Sequence, residues 1–324
     1  MAEKNLTSYT CKLTEEQAAQ LETHLLAHDY EMREVPHTRF AGHRDKLNVN
    51  FYTSGKLLVQ GKGTREFVEF VLEPEILKEA RLGYEAEINP DFIRPRLGVD
   101  ESGKGDFFGP LVVAGVYVNE SVVRHWQEQG IKDSKRVTSD KRIAQLAKVI
   151  RTTPGCIWSV VPIGPETYNR MHAKMRTVNK ILAWGHARVI ENLLERCSEM
   201  NPAPERAISD QFARSKSTVA DALMELGRDL ELVQRHKAEE DLAVAGASIL
   251  ARDIFVQKMT ELSEKVGSTL PKGGGKQVDE TAKILVETQG EVVLRQVAKM
   301  HFRNAARALG LPESPRSDQI WHKK

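Results

Sequence analysis

Two adjacent carboxylates, Asp100 and Glu101, close an apolar run and are followed at once by Ser102-Gly103-Lys104-Gly105. Residues of these types serve two different chemistries. From Gly98 through Gly103 and Lys104 the stretch follows the phosphate-loop pattern of nucleotidases, which requires Ser or Thr at its eighth position to hold magnesium. That position is Gly105. Asp100 and Glu101 would also sit inside a phosphate cradle, where their charge repels the ligand. The other chemistry uses the acids directly, because neighbouring hard carboxylates suit magnesium or manganese, which bind through oxygen and bridge to phosphates. Successive strand side chains point to opposite faces, so both acids reach one ion only where the strand ends between or just after them. Gly103 and Gly105 supply such an ending and let backbone N–H groups approach a substrate oxygen, with Lys104 as a nearby positive charge. A solvated Asp-Glu pair in a turn is the plainer alternative.

More acids follow apolar runs downstream. Asp210 closes "RAIS", and "LELVQRHKAEED" reads as a fifth strand that ends in Glu239, Glu240 and Asp241. Each alone is ordinary surface chemistry; together they offer the four carboxylates of a two-metal phosphodiester hydrolase.

Strands must carry these acids. "LGVDES", "LVVAGVYVN", "CIWSVVPIG", "RAISDQF" and "LELVQRH" read as five strands, separated by helical stretches that include "NKILAWGHARVIENLLERC" and "DLAVAGASILARDIFVQKMTELSEKV". The expected fold is α/β, a mixed sheet covered by helices. A smaller α+β unit precedes it. Thr14-Glu-Glu-Gln17 is a capping box opening a helix that ends near Asp29, "KLNVNFYTSGKLLVQGKG" is a hairpin, and "TREFVEFVLEPEIL" is a second helix weakened by Pro74. The proline-bearing "INPDFIRPR" reads as a linker, giving units 1–92 and 93–312 and a loose tail 313–324.

Composition is that of a soluble globular chain, 40% hydrophobic and 28% charged over 324 residues. Three isolated cysteines exclude a disulfide framework and a cysteine-ligated zinc site, and no apolar stretch is long enough to span a membrane. A cytoplasmic protein with no membrane role is expected. Residues 1–92 carry 11 Lys and Arg against 16 Asp and Glu, net −5, whereas the remainder carries 36 against 29, net +7. The excess weakly favours a polyanionic partner.

"GVDESGKGDFFGPLVVAGV", "IKDSKRVT", "VNKILAWGHARVIENLL", "SDQF", "KAEEDLAVAGASILAR" and "KMHFRN" occur in an order that resembles the type 2 ribonuclease H family, in particular its bacterial ribonuclease HIII branch, over about residues 96–305. The resemblance implies an RNase H-like fold, preceded by a TATA-binding-protein-like domain that grips the substrate. It also implies endonucleolytic cleavage of the RNA strand of an RNA/DNA hybrid with Mg²⁺ or Mn²⁺, leaving 5′-phosphate and 3′-hydroxyl ends. Carried onto matching positions, Asp100, Glu101 and Asp210 are metal ligands and Glu239 is the fourth acid, with Asp241 as its rival. Ser102, Gly103, Lys104 and Gly105 are assigned to the substrate's backbone and 2′-hydroxyl. Asp133, Ser134 and Lys135 take a positioning or phosphate-contacting role. Related HII enzymes carry a tyrosine towards the C-terminus that recognises RNA-DNA junctions, and no tyrosine follows Tyr168 here, which favours runs of ribonucleotides over single embedded ones. A monomer is expected. The alternatives are an HII-like enzyme cutting at single ribonucleotides and a non-catalytic nucleic-acid-binding module.

Between residues 39 and 65 six basic side chains (Arg39, Arg44, Lys46, Lys56, Lys62, Arg65) stand against one acid, Asp45, and are expected to form a basic hairpin face for phosphates. His186, in an apolar helix, reads as a structural histidine, and His301 as a weaker acid-base candidate among basic neighbours. Trp184 and Phe302 read as core. "LPKGGGKQ", residues 270–277, is either a flexible phosphate-facing loop or a solvated connection.

Overall fold

The computed structural model describes residues 7–78, 92–129, 131, 139–211, 217–235 and 238–312, without the side chains of Ser217 and Glu239. They fall into two compact units that divide between Phe92 and Ile93. Residues 79–91, which include the first part of the expected linker, the tail 313–324 and Asp133-Ser134-Lys135 lie outside the described residues.

In the first unit, β1 (Ser8–Lys12), β2 (Glu31–Met32), β3 (Thr38–Arg44), β4 (Leu47–Tyr52) and β5 (Lys56–Gly61) form an antiparallel sheet in the order β1-β5-β4-β3-β2. Its α1 (Glu15–Ala27) opens with the capping box, Thr14 Oγ1 accepting from Gln17 N–H and Gln17 Oε1 from Thr14 N–H. The β4–β5 hairpin forms as the alternation requires. The edge strand β1 is short and alternates between the exposed Ser8, Thr10 and Lys12 and the half-buried Tyr9 and Cys11, which pack against the core without being enclosed by it. In β3 a register shift between Thr38 and Phe40 interrupts the period of two. Helix α2 (Thr64–Phe67) continues through Val68–Leu77 as a wider i→i+5 helix containing Pro74. A proline cannot donate to the usual ladder and crowds the carbonyl four residues back, which the wider turns accommodate. One sheet face packs on these helices through Val49, Phe51, Leu57 and Val59. The other carries the exposed Thr10, Lys12, Asn48, Lys56 and Gln60.

The second unit holds β6 (Arg96–Ser102), β7 (Leu111–Val118), β8 (Ile157–Ile163), β9 (Arg206–Asp210) and β10 (Glu231–Arg235), in the order β10-β9-β6-β7-β8. All five runs read as strands form strands. The central β6 runs antiparallel to β7 and parallel to β9, which is parallel to β10, so the sheet is mixed. Every residue of β7 is buried, as its unbroken apolar run requires of a strand covered on both faces. Helices α3 (Glu120–Glu128), α4 (Asp140–Thr152), α5 (Pro165–Met175), α6 (Val178–Leu194), α7 (Leu242–Val266), α8 (Lys276–Gln289), α9 (Glu291–Val297) and α10 (Arg303–Ala308) surround it. On one face Leu97, Val99 and Val113 pack with Val189 and Leu193 of α6. On the opposite face α7 lies so close that a Cβ on Gly98 would stand 2.2 Å from the Ala243 carbonyl carbon.

Candidate active site

The parallel pairing of β6 with β9 ends at Val99–Ser209, and Asp100 and Asp210 are the next residue on each strand. Matched positions on adjacent parallel strands, about 4.8 Å apart, present side chains to the same face. Two carboxylates thus stand side by side at the carboxyl edge of the parallel half-sheet, where open α/β sheets place their ligands. Strand β6 runs on through Glu101 and Ser102, paired to Val113 and Val112, and ends just beyond the two acids.

Asp100 and Glu101 lean towards opposite helices. Asp100 accepts a hydrogen bond from the Ser248 hydroxyl of α7; burial first, and then the charge of Glu101, push its carboxyl up to about 7 against that bond. Glu101 is held from the other side, its Oε2 3.1 Å from Nε2 of the fully buried His186 on α6. Its Oε1 lies 3.5 Å from Lys104 Nζ. Burial alone would raise the Glu101 carboxyl, but the hydrogen bond and charge of His186, with Lys104, bring it below its ordinary value. Close helix approach makes both contacts possible. A Cβ on Gly185 would stand 2.7 Å from Val113 Cγ2, the cross-strand neighbour of Glu101, and the 2.2 Å that a Cβ on Gly98 would leave to Ala243 brings α7 as close to β6 two residues before Asp100.

The turn after β6 is built from behind. Gly103 has φ of 85°, and a Cβ there would stand 2.2 Å from the Pro110 carbonyl oxygen, so both conformation and space demand glycine. Gly105 faces open space, with nothing within 4 Å of a Cβ. The buried Lys299 donates from Nζ to the carbonyls of Asp106 and Gly109, both at 2.7 Å, and of Phe108 at 3.4 Å. Burial lowers this ammonium to about 7. The 270–277 segment is neither loose nor a mere connection where it meets this turn. Gly273 N–H donates to Asp106 Oδ1 at 2.6 Å, and its carbonyl accepts from Phe107 N–H at 2.8 Å.

The remaining candidates are distributed elsewhere. Asp241 caps α7 through Ala243 N–H at 2.9 Å and receives the fully buried Arg96 at 3.0 Å, four residues before Asp100 on β6. Strand β10 ends at Arg235, so Glu239 belongs to the short helical turn Ala238–Glu240 that leads into α7, not to a strand end. Among the described residues, no three His, Cys, Asp or Glu cluster tightly enough to hold a metal; opposite-facing neighbours on a strand account for the spread of Asp100 and Glu101. The donor set nonetheless fits a hard cation, since all its atoms are carboxylate oxygens and burial, followed by the negative charge of Glu101, pushes the Asp100 carboxyl upward. His301 stacks on His172 and meets Phe302 edge-on, both at 4.6 Å between ring centroids, and burial, then His172 and Lys299, push it down to about 4. The basic side chains of residues 39–65 do not share one face. Arg39 pairs with Glu15 on α1, Arg65 with Glu69, and Arg44 lies over the Tyr30 ring, leaving Lys46, Lys56 and Lys62 as exposed lysines. His186 and Ser248 were legible only as residues of apolar helices, although the glycine beside His186 marks the close approach.

A family profile described as Ribonuclease HII matches residues 97–305, and one described as Domain of unknown function (DUF3378) matches residues 9–81. Ribonuclease HIII of Chlamydia pneumoniae is 44% identical over 268 residues, covering 82% of this chain and 86% of that protein. Ribonuclease HIII of Protochlamydia amoebophila is 42% identical over 274 residues, covering 85% and 87%. Among solved structures, Bst-RNase HIII in complex with Mn²⁺ superposes with a TM-score of 0.64 at 30% identity, over 94% of this chain and 98% of that one. Aquifex aeolicus RNase H3 gives 0.51 at 27% identity, over 90% and 99%. The chain belongs to the ribonuclease HII family, in its ribonuclease HIII branch, and is an endoribonuclease of RNA/DNA hybrids.

Proposed function

We propose that Asp100, Glu101, Asp210 and Glu239 hold two divalent ions, Mg²⁺ or Mn²⁺, for hydrolysis of the RNA strand, leaving 5′-phosphate and 3′-hydroxyl ends. The observation that carries this reading is the placement of Asp100 beside Asp210 at the carboxyl edge of β6 and β9, with Glu101 next in sequence. Bst-RNase HIII, similar over 94% of this chain, was crystallised with Mn²⁺. When bound, such ions activate the attacking water and stabilise the departing oxygen. The protein's own residues hold and orient. Ser102, Gly103, Lys104 and Gly105 follow the acids directly and meet the ribose-phosphate backbone, the open space at Gly105 admitting it and Lys104 countering its charge. Asp133, Ser134 and Lys135 assist in phosphate positioning. The exposed sheet face of the first unit, with Lys12, Asn48, Lys56 and Gln60, takes the hybrid's backbone.

Hybrid cleavage by Asp100→Asn and Glu239→Gln tests the acid set. Each is expected to lose at least about 100-fold in kcat with binding of the hybrid within a few-fold. Asp241→Asn is expected to keep kcat and lose about 3 kcal/mol of stability, because it weakens the partner of buried Arg96. An inactive, stable Asp241→Asn beside an active Glu239→Gln would reassign the fourth ligand. An all-ribonucleotide strand cut faster than a single embedded ribonucleotide supports HIII-like specificity; the reverse order assigns the HII-like one.

A further inference from the structure

His186 takes no part in the chemistry of the acids and their ions, yet it is the fully buried polar group whose Nε2 stands 3.1 Å from a carboxylate oxygen of Glu101. Its location follows from local packing. Val113 is the cross-strand neighbour of Glu101 on β7. A Cβ on Gly185 would stand 2.7 Å from Val113 Cγ2, so the α6 backbone passes directly over that pair and the next residue, His186, meets Glu101. On the same strand a Cβ on Gly115 would stand 2.4 Å from Val189 Cγ1, which fixes the helix against the sheet a turn further on.

Glu101 points to the α6 face and Asp100 to the α7 face, so a ligand pair formed by these two acids depends on how the Glu101 carboxylate is turned at the strand end. The chain provides two fixed points for it. Oε2 is taken by the His186 N–H, and Oε1 is left near Lys104, at 3.5 Å and on the side of the turn. An imidazole in a rigid, buried helix defines direction better than a lysine that is 42% exposed.

We propose that His186 is a positioning residue for the nuclease reaction, donating from Nε2 to Glu101 Oε2 so that Oε1 is the oxygen turned towards the ion and substrate. This rests on the reading of Glu101 as a metal ligand. A buried donor that orients a ligand affects metal affinity and turnover together, by about 10–100-fold when removed, and leaves substrate binding alone.

The test uses the full chain with His186→Leu, His186→Gln, His186→Asn and Glu101→Gln. Mn²⁺ binding without substrate is measured by calorimetry, kcat and KM on an RNA/DNA hybrid are measured against Mg²⁺ concentration, and melting curves establish folding. Glutamine can place an amide N–H where Nε2 stands; asparagine places it one atom short, where Nδ1 stands. His186→Leu and His186→Asn are expected to weaken Mn²⁺ binding and to lower kcat about 10–100-fold with KM within threefold, and His186→Gln to recover to within about fivefold of the wild type. Wild-type Mn²⁺ affinity and kcat in folded His186→Leu would overturn the proposal, as would equal impairment of folded Gln and Asn variants, which assigns His186 to packing. If His186→Leu does not fold, the Gln and Asn pair decides; if none of the three folds, His186 serves the core and the proposal fails. Glu101→Gln separates the two readings. Unchanged Mn²⁺ binding and turnover in that variant removes Glu101 from the ligand set, whereas their loss there with a wild-type His186→Leu removes only His186.

Discussion

At the residue scale, Asp100 carries a cost that the role proposed for it explains. Its carboxyl is pushed up to about 7 by burial and by Glu101, so the folded protein holds this proton more tightly than the unfolded chain does. Stability of the metal-free protein therefore falls as pH rises from about 4 to about 7 on this group's account and is level above. Asp100→Asn abolishes the titration. In chelator the variant is expected to be more stable than the wild type by on the order of 2 kcal/mol at pH 8, with a smaller gain at pH 5, as urea denaturation at the two pH values will show. A gain that is equal at both, or greatest at pH 5, contradicts the origin given for the shift. Divalent metal should reverse the order at pH 8, since it binds only the ionised wild-type site. Much of this site is legible in one line of sequence, because Asp100, Glu101 and the glycine turn are contiguous. Asp210 is legible as the last residue of an apolar run. His186 and Ser248 are not, since nothing in an apolar helix tells which polar side chain meets a carboxylate on a strand dozens of residues away.

At the element scale, the turn after β6 separates two uses of glycine. Gly103 is required by its positive φ and by the Pro110 carbonyl, whereas Gly105 has open space around it. Gly103→Ala is expected to lose about 2–4 kcal/mol of stability and most activity. Gly105→Ala should melt within about 0.5 kcal/mol of the wild type and raise KM for the hybrid, because only an approaching backbone meets the added methyl. Thermal melts paired with steady-state kinetics check both, and a destabilised Gly105→Ala contradicts the assignment of that space to substrate. Strands and long helices follow from periodicity, since β7 and α7 are long uniform patterns. The bulged β3 and the short edge strand β1 do not, because their places are fixed by sheet partners. Residues 270–277 show the same limit: "KGGGK" gives no sign that Gly273 docks on Asp106 and Phe107.

At the scale of the whole molecule, the two units have separate cores, and the proposed function gives cleavage to the second and grip to the first. The uncovered face of the first sheet carries Lys12 and Lys56 in register on β1 and β5. Replacing both by alanine is expected to leave kcat unchanged and to flatten the dependence of log affinity on log salt by about 1–2, one increment for each phosphate that a lysine no longer neutralises, in filter-binding titrations on the hybrid. An unaltered slope means that the hybrid's phosphates are gripped by other side chains. In the second unit the buried segment at residues 106–109, just after the glycine turn, is closed by Lys299, whose bond to Asp106 spans 193 positions of sequence. During synthesis, Asp100 and Glu101 therefore leave the ribosome long before the side chain that braces their neighbouring turn. For most of its translation the growing chain carries Asp100 and Glu101 without the brace on the turn beside them, which is set only once Lys299 has been made.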